Sequence, residues 1–247
     1  MEVLNALLGQ GIPALPCTVS LYPYVVFAES IRPGLATNVA AGRDEETRDV
    51  AAFQKLTTAD LAHLILSPAG LEAAIGMAAL NSALDVSPIE NRLQQVNAFD
   101  VLLKRGKNKN MSIIGHFLFV EQLKKAGIAR NLWVFELKPK TGDDLLPEHI
   151  PEYVPESDIV LMSGTTLIHH SFDAIRKYFS KSYNMMVGPS TPLSPVLFEF
   201  GIHMISGTLV SDAALAKKSF SAGAKFREAR GLRFVSFFRD RLKKPSY

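Results

Sequence analysis

Cysteine is nearly absent from this chain: Cys17 is the only one among 247 residues. A disulfide framework within the chain is therefore excluded, and so is a thiolate metal cluster built by one chain. No apolar stretch reaches the length that spans a bilayer without polar or turn residues interrupting it. The start, Met1-Glu2-Val3-Leu4, lacks the basic flank and apolar core of a secretory leader. The expectation is a soluble, cytoplasmic protein with no membrane partner. Charge of one sign is also scarce, with a net charge of +3. The excess of Lys and Arg gathers near Lys104–Lys109 and after Ala224, where it reads as solvated surface. No basic patch interleaved with aromatics points to nucleic acid. The Gly-x-Gly-x-x-Gly fingerprint, the Walker phosphate loop, the nucleophile elbow and the zinc-protease helix are all missing. An enzyme therefore has no independent catalytic signature here.

The hydrophobic share is 47%, enough for a sizeable core, and the length fits one large or two small domains. The first ninety residues read as strands followed by helices. Val19–Ala28 is one strand, or two short ones broken near Pro23. Pro33-Gly34 makes a turn before a strand at Leu35–Ala40, and Gly42–Thr47 is a charged loop. A short helix covers Leu61–Leu66. Ser67-Pro68 then reads as the start of a helix from Ala69 to about Leu84, rich in small residues. A further helix is expected within Leu93–Leu103.

The second half alternates strands and helices. Strands are expected at Met111–Ile114, Leu132–Leu137, Ile159–Met162, Met185–Val187 and His203–Ile205. Helices are expected at Val120–Ala126 (stopped by Gly127), Phe172–Phe179, Pro195–Phe200 and Ala213–Ala222, with the basic tail helical as well. This is the pattern of an α/β protein whose parallel sheet carries helices on its faces. The expected division is a small α+β domain over 1–90 and a parallel-sheet domain with its connecting segment over 91–247.

Small polar turns sit where these strands end: Ile114-Gly115-His116-Phe117, Ser163-Gly164-Thr165-Thr166, Gly188-Pro189-Ser190-Thr191 and Ser206-Gly207-Thr208. In an open parallel sheet such ends converge on one crevice. Glycine permits close ligand approach, and the hydroxyls of Thr165, Thr166, Ser190 and Thr191 suit an anion or a nucleotide; the same hydroxyls also suit helix capping. Glu136 follows Gly115 by roughly the 20 residues that separate a phosphate turn from a ribose-binding acid. His116 with Glu121 suits metal ligation or proton transfer as well as a structural hydrogen bond. Asp143 is a further carboxylate near a turn. His169-His170 are adjacent and so face different ways on a helix.

The segments Gly115–Glu121, Val134–Leu137, Gly142-Asp143, Ser163–Ile168, Gly188–Leu193 and Gly207–Val210 together resemble a family named for heavy-metal chelation. Upstream, Gly34-Leu35-Ala36 and Glu72–Ser82 resemble it as well. The resemblance implies an enolase amino-terminal-like domain joined to a Rossmann-like domain, with the site between them, and a tie to metal-cofactor metabolism. The chain departs from the family pattern in two places. His169-His170 stand where Asn is common, and Leu118 stands where Pro is commoner. The reading is binding or chelation of a heavy metal or metal complex at an interdomain site. Its ligand-binding residues would be Asn81, Gly115, Glu136, Thr165, Thr166, Ser190, Thr191, Gly207 and Thr208. His116, Glu121 and Asp143 would contact a divalent metal. The alternatives are a nucleoside- or nucleotide-dependent enzyme and a non-catalytic sensor of a small ligand. A homodimer is the expectation from oligomer frequencies alone.

Overall fold

The computed structural model of the protein describes residues 1–41, 50–115 and 117–241. The charged loop expected at Gly42–Thr47 lies outside the described residues.

Helix α1 (Glu2–Leu8) precedes a three-stranded antiparallel meander of β1 (Thr18–Leu21), β2 (Val25–Glu29) and β3 (Pro33–Thr37). Pro23 separates β1 from β2, because its ring removes a ladder donor. Helix α2 (Thr58–His63) starts on a capping box: the Thr57 hydroxyl accepts from the Asp60 amide, and the Asp60 carboxylate accepts from the Thr57 amide. Helix α3 (Gly70–Ala83) is buried almost all round, from Leu71 to Ala83 except Glu72. Its alanines and glycine make that approach possible. A Cβ on Gly76 would overlap the Ile65 backbone, and one on Gly34 in β3 would overlap the backbone of Asn81 and Ser82. Ser67 does not cap this helix. Its hydroxyl donates to Glu72 and accepts from the Ala69 amide, while Ala69 takes the cap position without a side-chain bond.

Helix α4 (Ala98–Arg105) starts later than the expected segment, because Asn97 caps it by accepting from the Phe99 amide. Five parallel strands follow: β4 (Asn110–Ile114), β5 (Asn131–Phe135), β6 (Ile159–Ser163), β7 (Tyr183–Val187) and β8 (Met204–Val210). Between them run α5 (Val120–Ala126), α6 (Ile150–Tyr153), α7 (Thr165–Ile168), α8 (Phe172–Ile175) and α9 (Val196–Glu199); α10 (Ala213–Ser221) comes after β8. Gly127 ends α5 in the left-handed region at φ 57°, as its position in the sequence requires. The basic tail corrects one expectation. Leu232–Phe238 is not helical but a strand, β9, paired antiparallel along the whole of β8.

The sheet order is β5-β4-β6-β7-β8-β9. The chain moves from β4 outward to β5 and then crosses back to β6, so the direction of winding reverses between β4 and β6. Alternate strand residues face opposite layers. Met111, Ile113, Leu161, Met185 and Met204 pack with α4 and α5. Val160, Met162, Met186 and Ile205 pack with α7, α8 and α9, in a cluster that continues into α1, α2, α3 and the meander. Helix α10 reaches the opposite face of the meander, setting Ala216 and Phe220 against Val25, Phe27 and Leu35. The architecture is α/β, with a Rossmann-like mixed sheet and a small antiparallel sheet. Among the described residues, no helix is long and apolar enough to cross a membrane.

Candidate functional site

In doubly wound sheets the space beyond the strand carboxyl ends opens where the winding reverses, because the connections leave in opposite directions there. Here that point lies between Gly115 and Ser163. Gly115 has φ 103°, which a side chain would strain, and a Cβ on it would lie 3.2 Å from the Ser163 Cβ. Gly188, after β7, has φ 121° and nothing within 4 Å of where its Cβ would stand. These turns border a crevice of about 1820 Å³ that also takes in Thr37–Val39 after β3, Asn97 and β9. The meander and the large sheet therefore both contribute to it.

Gly115, Glu136, Thr165, Thr166, Gly207 and Thr208 line this crevice. The Ser163 hydroxyl organises the turn after β6: its oxygen accepts from the Thr165 amide at 3.2 Å and the Thr165 hydroxyl at 2.8 Å. Thr166 donates to the Ser163 carbonyl at 2.8 Å. The Thr208 hydroxyl is buried with no hydrogen-bond partner, an arrangement that costs stability unless something else satisfies it. The Glu136 carboxylate accepts from the Leu137 amide at 2.9 Å and lies 3.9 Å from Lys140 Nζ.

Asn81, Ser190 and Thr191 stand away from the crevice lining. Asn81 donates from Nδ2 to the Leu35 carbonyl at 2.9 Å, fastening α3 to β3. Ser190 accepts from the Thr37 amide at 2.8 Å, fastening the β7 turn to β3. Thr191 is buried against Gly164, with its hydroxyl unpartnered. The histidine pair splits as adjacency requires. His169 lines the crevice, whereas His170 takes φ 56° and bonds through Nε2 to the Ile65 carbonyl at 2.7 Å.

Of the three expected metal contacts, His116 lies outside the described residues. Glu121 and Asp143 do converge, but on an ammonium: Lys124 Nζ lies 3.2 Å from Glu121 and 2.9 Å from Asp143. The Thr141 hydroxyl, and then Lys124, hold the Asp143 carboxyl below its ordinary value. Burial pulls Lys124 down, but its bonds to Asp143 and Glu121 outweigh that and raise it. A lysine thus occupies the position a bare cation would need. Among the described residues, no three His, Cys, Asp or Glu side chains are placed to share a metal ion.

The charge of the crevice comes in part from the basic run after Ala224, which the sequence places at a solvated surface. Among the described residues, Lys138, Lys140, Lys225, Arg227 and Arg233 line the crevice, against the single carboxylate of Glu136. The Lys and Arg excess after Ala224 was the available signal. It is drawn to the crevice because the β8–β9 pairing folds that segment back over the strand ends.

The family described as "Putative heavy-metal chelation" matches residues 97–236. An uncharacterized protein of Methanocaldococcus jannaschii is 29% identical over 166 residues, 64% of this chain, and the chain spans 64% of that relative's length. The crystal structure of a protein of unknown function from Desulfitobacterium hafniense superposes with a TM-score of 0.83 at 26% identity, over 96% of this chain and 98% of that one. A second, from Pyrococcus horikoshii, gives 0.75 at 17% identity over 96% and 99%, a likeness of fold. Both are proteins of the same family that the sequence match names. This chain belongs to the "Putative heavy-metal chelation" family.

Proposed function

We propose that the crevice takes up a metal already held in an anionic complex, rather than a bare ion. The observation that carries this is the charge of the lining, which among the described residues is five basic side chains and one carboxylate. A free divalent cation would be repelled by that field, whereas a complex whose carboxylate or phenolate groups outweigh the metal charge would be drawn in. Charge-assisted bonds from Arg and Lys would then hold its periphery. The carboxylates expected to reach the metal support the same reading, since Glu121 and Asp143 both already pair with Lys124. The cargo metal keeps its own ligands, and the protein recognises their outer surface. In this reading residues 1–90 form the enolase amino-terminal-like unit and residues 91–247 the Rossmann-like unit, with Thr37–Val39 and the large sheet's turns as the two walls.

A second reading, a nucleotide site, rests on Glu136 at the end of β5, the place of a ribose-binding acid in such sheets. One calorimetric series separates the two. The titrants are the nickel(II)–nitrilotriacetate complex, nickel(II) chloride, metal-free nitrilotriacetate and adenosine monophosphate. The anionic nickel complex is expected to bind more tightly than the free ion, with affinity falling as salt rises. Tight binding of free nickel with none of the complex would overturn the proposal. Binding of adenosine monophosphate alone would establish the second reading instead.

A further inference from the structure

Apolar exposure on this molecule is not scattered. Among the described residues eight large hydrophobic side chains are exposed, and four of them, Tyr24, Leu118, Leu137 and Phe234, line the crevice. Single exposed apolar residues are ordinary, but a concentration within a basic crevice marks a surface that something apolar covers.

The residues behind Phe117 give that something a shape. Phe117 lies nearly parallel to Phe119, with an interplanar angle of 11° and ring centres 5.2 Å apart. Phe99 leans on Phe119 at 5.6 Å. The Arg227 guanidinium stands 5.8 Å from the Phe119 ring centre, so positive charge lies beside the stack. Phe119 is buried, and Phe117 is the member of the stack that reaches the crevice. It stands beside the reversal point: a Cβ on Gly115 would lie 3.8 Å from its ring. A ring already backed by Phe119, which Phe99 supports in turn, loses little freedom when a further ring joins it. Phe226 and Phe234 meet edge to face at 5.2 Å, and both line the crevice as well.

We infer that the ligand presents a planar aromatic ring bearing negative charge, which extends the Phe119–Phe117 stack into the crevice while Arg227 meets its charge. This rests on the proposed reading that the crevice binds an anionic metal complex. It adds the chemistry of the complexing groups: aromatic acids or phenolates rather than aliphatic carboxylates.

The test compares three probes in calorimetry: the ferric complex of 2,3-dihydroxybenzoate, ferric citrate, and metal-free 2,3-dihydroxybenzoate. The proteins are the unaltered chain, Phe117→Leu and Phe117→Trp, each with its thermal unfolding recorded. Leucine keeps apolar volume but removes the ring, and tryptophan keeps a stacking face. The catecholate complex is expected to bind the unaltered chain about 2- to 10-fold more tightly than ferric citrate, the worth of one aromatic pair. Phe117→Leu should erase that preference and Phe117→Trp should keep it. Equal affinity for the two complexes, or a preference that survives in a folded Phe117→Leu, overturns the inference and leaves the proposed function standing. Metal-free dihydroxybenzoate binding as tightly as its ferric complex, with the same Phe117 dependence, sustains the stacking inference and overturns the metal-complex reading. Binding of none of the three overturns both.

Discussion

At the amino ends of the parallel strands, neighbours are tied together by side chains and main chain in turn. The Asp158 carboxylate accepts from the Asn110 amide at 2.9 Å and from Lys109 at 3.2 Å, while Asn110 Nδ2 donates to the Glu156 carbonyl. The Asn184 amide donates to His203 Nδ1, and Asn184 Nδ2 to the Gly201 carbonyl. Arg105 covers Tyr183, which stacks on His203. At the carboxyl ends the same strands run into Gly115 and Gly188 in left-handed conformations, a buried unpartnered Thr208 hydroxyl and exposed Leu118 and Leu137. One end of the sheet ties neighbouring strands together with its polar groups, while the other bonds most of its hydroxyls within its turns, leaves Thr208 unpartnered and exposes apolar side chains to a crevice. That asymmetry is what a stable scaffold with a binding edge requires.

The comparison breaks hardest at Gly164. A Cβ there would stand 2.6 Å from the Thr191 hydroxyl oxygen and 2.7 Å from its amide nitrogen. Gly164→Val should cost about 2–3 kcal/mol in urea unfolding, since backbone atoms cannot yield as a flexible side chain can. A change below about 0.5 kcal/mol would mean the turns do not pack so closely.

At the closed end, Asp158→Ala should cost about 1–2 kcal/mol by removing the acceptor of the Asn110 amide and the partner of Lys109. The Asn110 amide, and then Lys109, hold the Asp158 carboxyl below its ordinary 3.8. The folded state therefore favours the ionised form. Its contribution is complete above pH 4 or so and is lost as pH falls through the lowered folded value. Unfolding curves from pH 7 to pH 2 should show the variant approaching the unaltered chain only at the acid end. A gap that stays constant over that range would show the carboxylate is not ionised in these bonds.

Much of this asymmetry was legible in the sequence at one scale and hidden at another. The α5 helix and its Gly127 stop, the five parallel strands and the glycine turns follow from local pattern. The strand β9 does not. Leu232-Arg233-Phe234-Val235-Ser236-Phe237-Phe238 sits among arginines and lysines, and only its distant partner β8 shows why Val235 and Phe237 go inward while Phe234 stays out. Without β9, the basic residues after Ala224 look like a solvated tail rather than a wall of the crevice. Hydroxyl roles were equally hidden. Ser190 and Thr166 share a hydroxyl and a turn context, yet Ser190 binds the β3 backbone and Thr166 its own turn. Glu121 and Asp143 read as metal donors until Lys124 is seen between them.

The most direct measurement is hydrogen exchange read by mass spectrometry, with and without saturating nickel–nitrilotriacetate complex. The account predicts slowed exchange in peptides covering 115–119, 163–171, 186–190 and 225–234. Peptides covering 108–112 and 156–160, at the closed end, should be unchanged. Protection confined to the closed end, or to α5 and the segment around Asp143, would contradict the assignment of binding to the crevice.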